Sequence, residues 1–408
     1  MTKRHQKVTE STSADTSTDT SIYPKRFGVF QAPFHKFGIH PTVLFERDLQ
    51  LIQRAEELGF HEAWIGEHHS GGHEPIASPE VFMAAASQRT HTIKLGTGVV
   101  SLPYHNPFMV AERHVLLDHL SRGRAIMGFG PGQLASDAHM MAVETAEQRE
   151  MMREAAEVIV RLMRGETVTA KTSWFELRDA RLQVLPYNGA GLETVVASVA
   201  SPSGPRTAGE LGLGMINLAS SGPGAFEALR DHWSIVESEA AKSGAEVSRD
   251  QWRLAAIMHI AETEEQARRD CEYGFAEIWD YLGQISPLPP SKETSVEGKL
   301  NEAIESGMVC IGTPDTAIEL IRKLAKQTGG FGVFIMNLAD FAAPAAKLRS
   351  IELFAEYVIP EFTGHLDALR ASHEWVLGAK NEEDTTIWRD QTNAAIAAAT
   401  AEFQRSRG

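Results

Sequence analysis

Apolar positions along this chain alternate between two rhythms. Short apolar runs, the mark of buried strands, are each followed by a stretch with apolar residues three and four apart, the mark of one helix face. The first run is Phe27-Gly28-Val29-Phe30-Gln31. After it Phe45, Leu49, Ile52 and Ala55 predict a helix from Pro41 that stops at Gly59, since glycine readily takes the left-handed turn past a C-cap. The pattern then predicts strand 62–66, helix 79–88, strand 93–100, helix 107–120, strand 124–129 and a helix over about 147–163. The second half is less regular. Strands are predicted at 195–199, 215–218, 252–260 and 332–337, with helices at 206–211, 225–243, 264–281 and 343–358.

Strands alternating with helices at this pace imply parallel βαβ units. Eight strand–helix pairs predict an α/β protein built as a closed (β/α)8 TIM barrel over residues 23–362. A doubly wound open sheet usually carries fewer strands. Two segments interrupt the rhythm. Residues 165–190 read as a hairpin insertion, and the Pro-rich 283–308 as a long lid loop. Residues 363–408 read as a C-terminal helical extension, an arm toward a partner subunit, and the Ser- and Thr-rich 1–22 as a disordered tail.

Composition narrows the function. Of 408 residues, 43% are hydrophobic and 23% charged, so the chain can bury a large core. The net charge is 39 − 54 = −15, which repels nucleic acid and anionic membranes. Two cysteines, Cys271 and Cys310, cannot staple a chain this long and point to a reducing compartment. No apolar run approaches a membrane helix. The expectation is a cytoplasmic protein.

In such a barrel the chemistry sits at the C-terminal ends of the strands. Glu67, His68 and His69 follow the second strand, and Ser101, His105 and Asn106 the third. Gly130, Pro131, Gly132 and Gln133 follow the fourth, Ser201 and Ser203 the fifth, Asn217 and Ser220 the sixth. His68 and His69, being adjacent, point to opposite faces and do not readily chelate one ion, so no metal is expected. Ser201-Pro202-Ser203-Gly204-Pro205 opens a helix and reads either as an anion site or as ordinary N-capping by Ser203. The spacing of Gly128, Gly130 and Gly132 is wrong for a dinucleotide fingerprint. These glycines read as letting a flat ligand approach the backbone.

Four stretches together resemble the bacterial luciferase-like family of flavin-dependent monooxygenases. They are Ala63-Trp64-Ile65-Gly66-Glu67-His68-His69; Lys94 to Pro103 with His105-Asn106-Pro107; Leu116 to Arg124; and the serine stretch after strand five. Gly128-Phe129-Gly130-Pro131-Gly132 is most similar to the limonene monooxygenase branch. The resemblance implies a barrel that takes reduced FMN from a separate reductase. Oxygen adds to the flavin, and the C4a-hydroperoxide oxidises a small apolar substrate, a terpenoid or a ketone. It implies that His68 is catalytic and that the substrate meets His69, Ser101, Gln133 and Asn217. It places a non-prolyl cis peptide at Gly98-Val99 behind the flavin ring beside Glu67, and the phosphate on Arg149, Ala200, Ser201, Ser203 and Gly204. Luciferases carry Cys-Arg where this chain has Gly130-Pro131, so one phosphate-binding cation is missing. The other readings of the same residues are hydride transfer with a deazaflavin and a non-catalytic flavin-binding subunit. An apolar surplus at Val81, Phe82, Met83, Phe108, Met109 and Val110 predicts a homodimer.

Overall fold

The computed structural model describes residues 20–31, 34–189, 191–285, 291–380 and 386–407. Eight parallel strands pair in chain order: β1 (Arg26–Gln31), β2 (Glu62–Ile65), β3 (Lys94–Thr97), β4 (Ala125–Gly130), β5 (Glu193–Ser198), β6 (Gly214–Asn217), β7 (Trp252–Ile260) and β8 (Val333–Leu338). β8 then pairs with β1, Arg26 opposite Val333, and the barrel closes. Alternate residues face inward and outward, as the pleat requires. Inward-facing Phe30, Trp64, Ile126, Val195, Ile216, Ala255, Val333 and Ile335 form the interior cluster. Outward-facing residues such as Phe27, Val29, Ala63 and Leu95 join the larger core beneath the helices.

Trp64 fills the interior because its neighbours lack a Cβ. One added at Gly96 or Gly128 would lie 2.7 or 2.8 Å from its ring. This corrects the reading of the glycines after strand four. Gly128 makes room for Trp64 and the Thr97 carbonyl, Gly130 for Val99, and Gly132 for the Tyr104 hydroxyl. Below Trp64, at the N-terminal end of the barrel, lies a layer of charge. Arg253, fully buried, donates to Glu62 through Nε at 2.8 Å and Nη2 at 2.9 Å, and also contacts Glu193. Lys94 pairs with Glu193 at 2.6 Å, and the Trp64 indole N–H donates to Glu62 at 2.9 Å.

The structure departs from the sequence pattern in several places. The run 93–100 is not one strand. β3 ends at Thr97, the chain passes through a cis Gly98-Val99 peptide, and Val100–Ser101 resumes beside Phe129 and Gly130. Residues 264–281 form two helices, Glu264–Cys271 and Phe275–Ile285, with Gly274 held between them by the Phe341 carbonyl. The segment 283–308 is not simply a loop. Its second half is the helix Val296–Glu305, capped by Ser295 and burying Leu300 and Ala303, while 286–290 lie outside the described residues. The strand Val309–Gly312 beside β7 and the helix Pro314–Thr328 follow, and the sequence reading named neither. Strands Val168–Lys171 and Glu176–Ala180 pair antiparallel as a hairpin. Of the tail, 1–19 lie outside the described residues. Thr20–Ile22 is a 3-10 turn whose Ile22 packs on the core. Beyond the barrel, helices Asp367–Gly378 and Ile387–Arg405 bury no residue.

Candidate active site

The loop after β2 carries the densest chemistry. His68 Nε2 lies 2.9 Å from Glu74 Oε2, and Nδ1 lies 3.3 Å from Asp137 Oδ2. Asp137 comes from a short helix after β4, Ala135–Met140, and also accepts from the His69 backbone N–H at 3.2 Å and from the Ser70 hydroxyl. Burial opposes a charge on His68, but the hydrogen bonds and charges of Asp137 and Glu74 outweigh it and push its pKa up to about 9. A free imidazole titrates near neutrality. This one is an imidazolium there, and both of its N–H groups donate to carboxylates.

His69 turns the other way. Its Nε2 lies 3.2 Å from Glu67 Oε1, the oxygen that also meets His105 Nε2 at 3.0 Å and the Ser101 N–H at 3.4 Å. Burial would raise the Glu67 carboxyl, yet His105 and His69 hold it below the usual carboxylate range. Glu67 in turn raises His69. The other oxygen, Glu67 Oε2, is buried without a partner. One ligand atom from each of Glu67, His69 and His105 lies within 4.8 Å of the others, a set that could hold a metal ion. The sequence reading, which weighed Glu67, His68, His69 and His73, missed this grouping because the second imidazole comes from the loop after β3. In the structure hydrogen bonds to Glu67 already engage both rings.

The helix after β5, Ser203–Leu211, begins without a side-chain cap, since Pro202 occupies the cap position. Ser203 is therefore its first residue and not its cap. Ser201 Oγ accepts from the Ser203 N–H at 3.3 Å and lies 3.1 Å from the Ser203 hydroxyl. Gly204 is pressed on β5, where a Cβ would come 2.8 Å from the Ala197 carbonyl, and Ala200 is exposed. Arg149 lies near the start of the helix Gln148–Met163. It is exposed and forms no ion pair among the described residues. Its neighbour Gln148 is buried and donates to the Tyr104 hydroxyl at 2.8 Å.

The expected substrate contacts divide. Ser101 is buried beside Glu67, and Gln133 is exposed in the loop after β4. Asn217 cannot serve as a free contact. Its Oδ1 accepts from the Trp252 indole at 2.7 Å, and its Nδ2 lies 2.9 Å from His232 Nδ1, all in the core. Sequence reasoning missed Glu74, Asp137, Tyr104 and Gln148. Asp137, Tyr104 and Gln148 sit on different elements from the groups they touch, and Glu74, six residues beyond His68 in the same loop, forms no short motif with it.

The family model described as luciferase-like monooxygenase matches residues 25–330. Limonene 1,2-monooxygenase of Rhodococcus erythropolis is 47% identical over 364 residues, 88% of this chain and 92% of that protein. The 4-hydroxyprotoasukamycin monooxygenase of Streptomyces nodosus subsp. asukaensis is 42% identical over 357 residues, 86% of this chain and 95% of that protein. Among solved structures, the oxygenating component of 3,6-diketocamphane monooxygenase from Pseudomonas putida, in complex with FMN, superposes with a TM-score of 0.68. It shares 23% identity, with 83% of this chain and 99% of that one covered.

Proposed function

From the premise that this chain belongs to the luciferase-like monooxygenase family, we propose a two-component enzyme. It takes reduced FMN from a separate reductase and places one oxygen atom of O2 in a small apolar substrate, a terpenoid or a ketone. The observation that carries the site assignment is His68, held as a cation between Glu74 and Asp137 at the C-terminal mouth of the barrel. That the R. erythropolis relative is a limonene monooxygenase and the P. putida component binds FMN supports the substrate class and the cofactor.

The residues present suit a flavin. Among the buried acceptors without a hydrogen-bond partner are Glu67 Oε2 after β2 and Asn337 Oδ1 on the inward side of β8. A flavin ring and its ribityl chain offer N–H and O–H donors to such atoms. The uncapped helix at Ser203, with the Ser201 and Ser203 hydroxyls, offers donors to a phosphate, and unpaired Arg149 a counter-charge. When bound, reduced flavin supplies the two electrons that activate oxygen. His68 serves as the proton reservoir of the site: both of its N–H groups are held by carboxylates through neutral pH, and a proton leaves through Glu74 or Asp137. Glu67 orients His69 and His105 beside it. Of the six apolar residues expected at an interface, Met83 and Val110 are buried and Phe82 and Phe108 pack on the core, while Val81 and Met109 are exposed and, with exposed Leu116 and Leu120 on helices Pro79–Ser87 and Pro107–Ser121, support a homodimer. Two free, buried cysteines support a cytoplasmic site, and among the described residues no helix is long and apolar enough to cross a membrane.

The test is His68→Ala with reduced FMN, oxygen, and limonene or a bicyclic ketone as probes. A positioned acid contributes roughly 10²–10⁴-fold. Product per oxygen consumed should fall by that factor, with FMN affinity kept. Normal coupling in the variant rejects the role of His68. Failure of the unaltered enzyme on both probes rejects the substrate class.

A further inference from the structure

The helix Phe275–Ile285 does not pack into the main core beneath the barrel helices. Phe275 and Ile278 sit in a small separate cluster with Phe341, Leu300 and Ala303. Elements anchored in such satellite cores open more cheaply than the global fold. From this helix Tyr281 reaches the loop after β2, where its hydroxyl donates to Glu74 Oε1 at 3.1 Å. The other oxygen of the same carboxylate holds His68. Tyr281 is seated firmly. Its ring lies 4.6 Å from that of His73 and 6.3 Å from that of Phe34, and its hydroxyl occupies the space that a Cβ on Gly71 would need. Burial and the charge of Glu74 raise the Tyr281 pKa, so the phenol stays a donor.

We propose that Tyr281 is a positioning residue that couples the seating of helix 275–285 to His68 through Glu74. With the helix in place, Glu74 is pinned by one donor on each oxygen and presents a fixed charge to His68. With the helix lifted, Glu74 is free to rotate toward water, and the grip on the His68 proton loosens. Site closure and proton readiness become one event. The proposal rests on the reading that His68 serves the reaction.

The groups that face His68 are Glu74 and Asp137 in direct contact, with His69 and Tyr104 near the same carboxylates. Tyr281→Phe removes the hydroxyl and keeps the ring. The first readout needs neither flavin nor substrate. The His68 imidazole is titrated by NMR, its signal assigned by its loss in His68→Ala. Tyr281→Phe should lower the His68 pKa, and Glu74→Gln should lower it further. The double variant should match Glu74→Gln alone, because the hydroxyl acts only through that carboxylate. The second readout is peroxide released per reduced FMN oxidised in oxygen with limonene present. It should rise several-fold in Tyr281→Phe while the unfolding midpoint and FMN affinity hold. An unchanged or raised His68 pKa in Tyr281→Phe, or additive shifts in the double variant, would overturn the coupling. If instead His68→Ala leaves peroxide release and product unchanged, the reading of His68 itself fails, whatever Tyr281→Phe does to the titration.

Discussion

Replacing Arg253 by methionine should destabilise the protein strongly and leave its chemistry alone. The side chain is fully buried at the N-terminal end of the barrel, with two hydrogen bonds to an equally buried Glu62 and a third contact to Glu193. Methionine keeps most of the volume and removes the charge. Breaking a buried pair from one side costs about 3–5 kcal/mol, because the remaining ion stays desolvated. Here Glu62 retains the Trp64 N–H at 2.9 Å and a half-exposed Arg26 at 3.4 Å, so the lower end applies. For roughly 340 barrel residues the unfolding entropy is about 0.7 kcal/mol/K, and about 3 kcal/mol becomes a fall of about 4 °C in Tm. Calorimetry measures this, with product yield per folded molecule as the control. A second signature lies in acid. Burial would raise Glu193, but Arg253 and Lys94 hold its pKa at about 2, against about 4.3 in an unfolded chain. That stabilisation is full above the unfolded value and is lost as pH falls through the folded one. In Arg253→Met the folded pKa rises, so the acid-induced loss of stability from this group should still begin near the unfolded value but end at a higher pH and be smaller in total. A Tm within about 1 °C of the parent, or lost product yield in molecules that remain folded, would refute the placement of this cluster as purely structural.

Arg149→Ala should weaken FMN binding by about 10- to 100-fold, the worth of one charge-assisted contact, and riboflavin binding hardly at all. Equal losses in calorimetric titrations reject the phosphate assignment. The His68 pKa, raised to about 9, adds stability that is full below the unfolded value near 6.5 and is lost as pH rises through about 9. The difference in Tm between the parent and His68→Ala should therefore shrink as pH rises from about 6.5 to about 9, and a constant difference contradicts it. Leu116→Asp with Val81→Asp should convert a dimer to a monomer in sedimentation at micromolar concentration, and an unaltered mass places the interface elsewhere.

The barrel was legible because its signal is local. Each strand–helix pair carries its own periodicity, and Gly59 marks a stop that needs no tertiary context. Where the reading failed, distant contacts decide. Nothing near Gly128 announces that it yields to Trp64 on another strand, and nothing near Asn217 announces a bond to Trp252. The His68 site was half visible. Its position after β2 follows from the fold, but Glu74, Asp137 and Tyr281 arrive from three separate elements. The charge state of His68 is a property of that meeting: Glu74 is six residues away in the same loop, but Asp137 and Tyr281 come from distant parts of the chain. The helix at 296–305 was hidden by the prolines before it, although Ser295 is an ordinary cap.

Closure of the barrel through β8 and β1 also sets a timetable for synthesis. Arg26 waits for Val333, a separation of 333 − 26 = 307 residues. At about 5–20 residues per second a ribosome takes about 15–60 s to supply the missing partner. Through that interval β1 can pair with β2, but its other edge has nothing to bond, and the apolar face of an incomplete ring stays open. The chain must therefore be shielded, or hold a provisional arrangement of its early βα units, until the last strand emerges. Pairings this remote in sequence form late, so the final step of folding joins the two ends of the barrel.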